Sequence, residues 1–220
     1  LIARTAKHGE VRADQVMLAL GRHPNTAGLG LETAGVALDK RGAIIVDEYS
    51  RTNVPSIWAL GDVTDRVQLT PVAIHEAMCF IDTEYRGKPT KPDHDLIPTA
   101  VFSQPEIGTV GLCEEVAARR FPEIEVYRAQ FRPMKATLSG RAEKVIMKLI
   151  VNASDRKVVG AHILGHEAGE MAQLLGVILK AGCTKDDFDR TMALHPSAAE
   201  ELVTMYNPSY VIRNGERVTG

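Results

Sequence analysis

The chain has 220 residues, room for one or two domains, with 45% hydrophobic and 25% charged side chains, an ordinary globular composition. Its 26 basic and 28 acidic residues leave a net charge of −2, which gives neither nucleic acid nor an anionic membrane a reason to bind. No apolar run approaches the roughly 18–20 residues of a membrane span; the longest candidate, residues 174–181, is interrupted by Gly176 and Lys180.

The opening Leu1-Ile2-Ala3-Arg4-Thr5 has no signal-peptide layout, and it reads as a chain entered in mid-domain. Val16-Met17-Leu18-Ala19-Leu20, closed by Gly21-Arg22-His23-Pro24-Asn25, predicts a buried strand entering a loop. Gly28-Leu29-Gly30 does not open a dinucleotide fold, because Thr33 stands where the third glycine belongs. Ala43-Ile44-Ile45-Val46-Asp47 predicts a second strand. Ser56-Ile57-Trp58-Ala59-Leu60 predicts a third, ending at Gly61-Asp62. Residues 71–85 predict a helix with Pro71 in its first turn, where a missing N–H costs nothing.

Residues 87–98 hold three prolines and several charges, so a domain boundary is expected near residue 95. Beyond it, strands are predicted at residues 100–102, 126–131, 145–151 and 158–164. Helices are predicted at residues 114–121, 168–181 and 198–205. Successive strands without full helices between them predict an antiparallel sheet with helices beside it. Cys79, Cys113 and Cys183 form no close pair. A sparse, odd set argues for reduced, mostly buried thiols in a cytoplasmic protein rather than a disulfide framework.

Two stretches carry chemistry. The run ending in Gly61-Asp62 brings an acidic side chain to the carboxyl end of a strand, where ligands of α/β sheets bind. Eight residues on, Thr70-Pro71 opens a helix whose free N–H groups favour negative charge. Together they suit a polyol beside an electron-rich ring, although a bare Gly-Asp equally caps a turn. In His195-Pro196-Ser197-Ala198-Ala199-Glu200-Glu201, an imidazole suited to proton transfer lies near a carboxylate able to orient it. The same spacing fits a helix capping box from Ser197 to Glu200.

Beside those readings stands a resemblance. Residues 52–62 with Leu69-Thr70-Pro71 resemble the second flavin-binding motif of the pyridine nucleotide–disulfide oxidoreductases. Ala19-Leu20-Gly21-Arg22-His23-Pro24-Asn25 resembles the A-x-G-R-x-P-N motif that ends their NADPH domain. Residues 101–112 resemble the start of their dimerisation domain. The stretch from His195 to Glu201 is similar to the H-P-[TS]-x-x-E-E signature of glutathione reductases.

The resemblance implies the ends of α/β, Rossmann-like NADP- and FAD-binding domains, followed by an α+β dimerisation domain. Their expected extents are residues 1–24, 25–95 and 96–220. It implies FAD and NADPH as cofactors, glutathione disulfide as substrate, a homodimer, and no metal. Asp62 would hold the ribityl chain, and Leu69 and Thr70 would lie against the flavin pyrimidine. Gly61, Gln68, Ala100, Gly21 and Arg22 complete the cofactor-binding set. His195 would protonate the departing thiol at the other subunit's flavin, Glu200 would orient it, and Glu201 would lie at the glutathione site. The helix at residues 168–181, with Met171, Leu174, Leu175 and Ile178, is expected either at the dimer interface or in the core of its own chain.

Met78 stands where some glutathione reductases place a substrate-contacting arginine, which leaves another thiol substrate open. The family's G-x-G-x-x-G and C-x-x-x-x-C segments are missing, so the chain alone is expected to be inactive and to hold FAD poorly. A non-catalytic dimerisation module is the reading from a different class.

Overall fold

A computed structural model describes residues 1–218. The chain forms two compact units, Leu1–His94 and Asp95–Gly220.

The first unit begins with an antiparallel hairpin of β1 (Ile2–Thr5) and β2 (Gly9–Arg12). The run expected as a buried strand at residues 16–20 is not one: it has no ladder partner, and Leu20 is 92% exposed. An apolar run becomes a strand only where a neighbour satisfies its backbone groups. The same reason corrects residues 43–47 and 56–60, which make single bridges, Leu38 to Ile44 and Arg51 to Trp58. Only part of each run is buried, with Ile45 51% exposed. Ile44 and Ala59 join Val36 in a small core, with Leu31, Leu38 and Val63 packed against it. α1 (Leu31–Ala34), a 3₁₀ turn (Gly61–Thr64) and the long α2 (Thr70–Tyr85) complete the unit.

The second unit is built on a seven-stranded antiparallel sheet. In chain order its elements are β3 (Thr99–Val101), β4 (Ile107–Gly111), α3 (Glu114–Arg120), β5 (Glu123–Phe131), α4 (Met134–Ser139), β6 (Val145–Asn152) and β7 (Val158–Leu164). α5 (Ala168–Lys180), α6 (Lys185–Arg190), a 3₁₀ turn (Ala199–Val203), β8 (Tyr210–Arg213) and β9 (Glu216–Val218) follow. The strand order is β3-β4-β7-β6-β5-β8-β9.

Alternation sorts side chains to the two faces of this sheet. Met147, Leu149, Ala161 and Ile163 face α5 and α6, where they meet Ala168, Leu175, Leu179, Phe188, Leu202 and Met205. Ile124, Val126, Ile150 and Ile212 face the other way, onto Ala117 of α3. Contact between α5 and β4 is direct: a Cβ on Gly108 would lie 2.1 Å from the carbonyl oxygen of Ala168. The apolar stripe of α5 divides. Leu175 is core, Met171 and Ile178 pack at the core's edge, and Leu174 stands 67% exposed.

Two further expectations change. The helix expected over residues 198–205 is a single 3₁₀ turn, Ala199–Val203. Leu202 and Met205 bury themselves in the core and the chain then leaves for β8, so no second helical turn has an apolar face to bury. Of the three free cysteines only Cys79 is buried; Cys113 is exposed at the start of α3 and Cys183 is intermediate. Burial pushes the Cys79 thiol up, with Asp82 and Glu76 adding to the effect.

α6 is pinned at its first turn. Thr184 and Asp187 form a reciprocal capping box. Lys185 is fully buried, bonded to Asp189 and stacked over the Tyr127 ring at 4.5 Å. Arg156, in the β6–β7 turn, bonds Glu125, the Tyr127 hydroxyl and Asp186. Burial, helped by the 2.6 Å bond to Glu125, pushes the Tyr127 phenol up to about 12. A buried ammonium is tolerated only when paired in this way.

On β7, His162 Nε2 donates to the carbonyl of Leu112 at 3.0 Å, and Nδ1 accepts from the Thr109 hydroxyl at 2.9 Å. Burial lowers the affinity of this ring for a second proton. Among the described residues no helix is long and apolar enough to cross a membrane, and no group of His, Cys, Asp or Glu could hold a metal ion.

Two outcomes are expected. Asp187→Ala removes one side of the capping box and costs about 1 kcal/mol of stability, read as a lowered denaturation midpoint. The lowered pKa of His162 means that its folded state resists protonation. Its stabilising contribution is complete above the ordinary imidazole pKa of 6.5 and is lost as pH falls below it. Denaturant unfolding at pH 7 and pH 5 therefore shows a loss for the wild type that shrinks in His162→Gln.

Candidate active site

Asp62 is presented by a turn that only glycine allows. Gly61 has φ +69°, and a Cβ there would lie 2.9 Å from the Cβ of Ala73 in α2. Both conditions exclude a side chain and let the turn sit directly on the helix. The Gly61 N–H donates to Glu76 Oε2 at 2.6 Å, and the Thr64 hydroxyl donates to the Gly61 carbonyl at 2.8 Å. The Asp62 side chain is left 49% exposed, and its carboxylate accepts from Arg22 Nη1 at 3.1 Å. Gly21 and Arg22, 40 residues upstream of the Gly61-Asp62 turn, are thus brought to it.

Gln68 donates to Asp65 at 2.7 Å, and Asp65 is paired with Arg41. Leu69 is the N-cap of α2 and supplies no side-chain cap; Thr70 and Pro71 follow at the surface. The start of this 16-residue helix therefore keeps its partial positive charge available next to the turn that bears Asp62. Met78 lies on the same helix, exposed. Ala100 belongs to β3 of the second unit.

The second constellation lies between α6 and the 3₁₀ turn. His195 Nδ1 lies 2.9 Å and 3.1 Å from the two carboxylate oxygens of Glu200. A carboxylate only accepts, so the proton sits on Nδ1 and Nε2 is free to exchange protons with solvent or a ligand. His195 is 70% exposed while Glu200 is mostly buried, the arrangement of an orienting carboxylate behind a reachable imidazole.

Of the capping box read from Ser197 to Glu200, only one half is present. The Glu200 N–H donates to Ser197 Oγ at 3.2 Å, so Ser197 caps the turn. The Glu200 carboxylate goes to His195. Glu201 points elsewhere, in a long 3.5 Å contact with the Thr204 hydroxyl. The anchors of the segment are α6 on one side and buried Leu202 and Met205 on the other.

Sequence reasoning missed Glu76, which is 1% exposed and holds the Gly61 turn. Its signal was spacing: Glu76 lies six residues after Thr70, on the helix that packs against Gly61.

Comparison with known proteins gives the class. Residues 97–206 match the dimerisation domain of the pyridine nucleotide-disulphide oxidoreductases, and residues 2–77 match the pyridine nucleotide-disulphide oxidoreductase domain. The chain belongs to that family.

It is 53% identical over 220 residues to the chloroplastic/mitochondrial glutathione reductase of Pisum sativum, covering all of this chain and 40% of that protein. It is 55% identical over 197 residues to the glutathione reductase of Burkholderia cepacia, covering 90% and 44%. With the trypanothione reductase of Trypanosoma congolense it shares 47% over 206 residues, covering 93% and 42%. The chain thus spans less than half the length of these curated relatives. Among solved structures it superposes on the HOCl-induced flavoprotein disulfide reductase RclA from Escherichia coli with a TM-score of 0.78 and 29% identity. That match covers 90% of this chain and 46% of the other.

Gly61→Ala forces a side chain into a left-handed turn against Ala73, and is expected to cost about 1–3 kcal/mol. Thermal unfolding of the first unit, followed by tryptophan fluorescence from Trp58, measures it.

Proposed function

We propose that this chain supplies the flavin-side and proton-transfer residues of an FAD- and NADPH-dependent disulfide reductase that acts on oxidised glutathione. The observation that carries the reading is the His195–Glu200 pair at 2.9 Å with Nε2 free. The names of the glutathione reductases to which the chain is 53–55% identical support the substrate. On this reading residues 1–24 close the NADPH-binding domain, 25–95 belong to the FAD-binding domain and 96–220 to the dimerisation domain.

The residues present fit the flavin. Asp62 offers acceptors to ribityl hydroxyls from a turn that lets backbone approach closely. The start of α2, at Leu69 and Thr70, offers positive partial charge to the electron-rich pyrimidine. Gly61, Gln68, Gly21, Arg22 and Ala100 are assigned with them. FAD, when bound, carries the reducing equivalents that NADPH delivers.

When a thiolate supplied by the rest of the enzyme attacks one sulfur of the substrate disulfide, a mixed disulfide forms and the other sulfur leaves as a thiolate, which departs more readily as the thiol. His195 gives the proton from Nε2, and Glu200 stabilises the imidazolium that precedes transfer. Glu201 is assigned to the substrate. The enzyme is read as a homodimer in the cytoplasm. Leu174 and Val177 are exposed on α5 beside an apolar groove of about 330 Å³ lined by Met171, Ile178, Phe188 and Leu202, a face suited to a second copy.

In the flavin-loaded enzyme containing this chain, His195→Gln is expected to lower kcat for oxidised glutathione by about 10²–10⁴-fold with little change in KM. Glu200→Gln should fall between that variant and the wild type. Steady-state NADPH oxidation measures both, and full turnover by His195→Gln would overturn the role. Running the same assay with trypanothione disulfide tests the substrate: a preference for it would replace glutathione in the reading.

A further inference from the structure

Glu76 has no part in the mechanism above, yet it is among the most completely buried charged side chains of the first unit. Both of its oxygens are engaged. Oε2 accepts the Gly61 N–H at 2.6 Å. Oε1 meets Arg66 Nη2 at 2.9 Å and His94 Nε2 at 2.7 Å. Arg66 also donates to the buried Ser50 hydroxyl at 2.9 Å and to Thr64 Oγ at 3.3 Å. The turn from Gly61 to Arg66 is therefore closed into a ring of polar contacts centred on one carboxylate.

A buried carboxylate is costly unless its partners replace water. Hydrogen bonds to an ionised group are also shorter and stronger than neutral ones. The geometric consequence concerns Asp62, the next residue after Gly61. α2 presents the exposed Thr70 at its start and, one and a half turns later, the carboxylate that grips Gly61. One rigid helix thereby sets the distance between Asp62 and its own N-terminus.

We propose that Glu76 is a positioning residue that fixes Asp62 relative to the start of α2, so that both meet one ligand. The inference rests on the flavin reading for the identity of that ligand. It does not rest on that reading for the anchoring itself.

The test has two arms, on Glu76→Gln and Glu76→Ala, with Val72→Ala as a control that weakens the packing of α2 and leaves the Gly61 bond intact. In this chain, exchange of the Gly61 amide, followed by NMR, should quicken by about tenfold or more in both Glu76 variants. It should stay near the wild-type rate in Val72→Ala once stability is matched with denaturant. In the flavin-loaded enzyme, the FAD dissociation constant should rise by about tenfold in Glu76→Gln, with KM for oxidised glutathione unchanged. Should Glu76→Ala fail to fold, Glu76→Gln, of equal size, carries both arms.

An unchanged Gly61 exchange rate in Glu76→Gln overturns the proposal. So does an equal loss of FAD in Val72→Ala at matched stability. If the wild-type enzyme binds no FAD, the flavin reading fails on its own, and the exchange arm still decides whether Glu76 anchors the turn.

Discussion

β6 is hydrogen-bonded along both edges and covered on both faces, and the second unit is arranged around that constraint. Side chains of Met147 and Leu149 fill the space under α5 and α6, while Ile150 fills the space under α3. Each such side chain contributes about 1.5–3 kcal/mol by leaving water. The 3₁₀ turn that carries Glu200 is fastened to this core by Leu202 and Met205. α6, on the near side of His195, is fastened to the same sheet by Lys185, Tyr127 and Arg156. An exposed imidazole can hold a fixed direction because both ends of its loop are tied to a core.

The first unit solves a similar problem with polar contacts. Its apolar core is small, and the turn that bears Asp62 is held by hydrogen bonds to Glu76 and by the fit of Gly61 against Ala73. Such contacts are directional, so they set the path of the turn. The two units thus place Asp62 and His195 by different means, the first by a charge-centred network and the second by burial of the flanking residues.

Much of this was legible in the sequence. The apolar runs at residues 145–151 and 158–164 matched the central strands to within a residue, because strands covered on both faces read as nearly continuous apolar stretches. Of the capping box that the Ser197 and Glu200 spacing suggested, the structure keeps one half, the Glu200 N–H on Ser197 Oγ, while the Glu200 carboxylate turns to His195. Other features were not legible. Residues 16–20, 43–47 and 56–60 are apolar enough for strands, but strand formation depends on a partner that local sequence does not specify. The spacing of Glu76 puts it on the helix that follows Thr70, but its burial depends on a turn fifteen positions earlier, which local sequence does not show. The β8–β9 hairpin could have been found. Asn214-Gly215, both with positive φ, form the two-residue turn that Asn-Gly favours.

That hairpin has a consequence for the behaviour of the protein in concentrated solution. β5 is long, and its outer edge would offer a template for lateral growth of the sheet between molecules. β8 pairs with the first four residues of that edge, 123–126, and β9 then shifts the frontier there to three residues, two of them charged, Glu216 and Arg217. Short, charged edges pair poorly with foreign strands. The hairpin therefore protects the sheet against aggregation along the half of β5 that it covers.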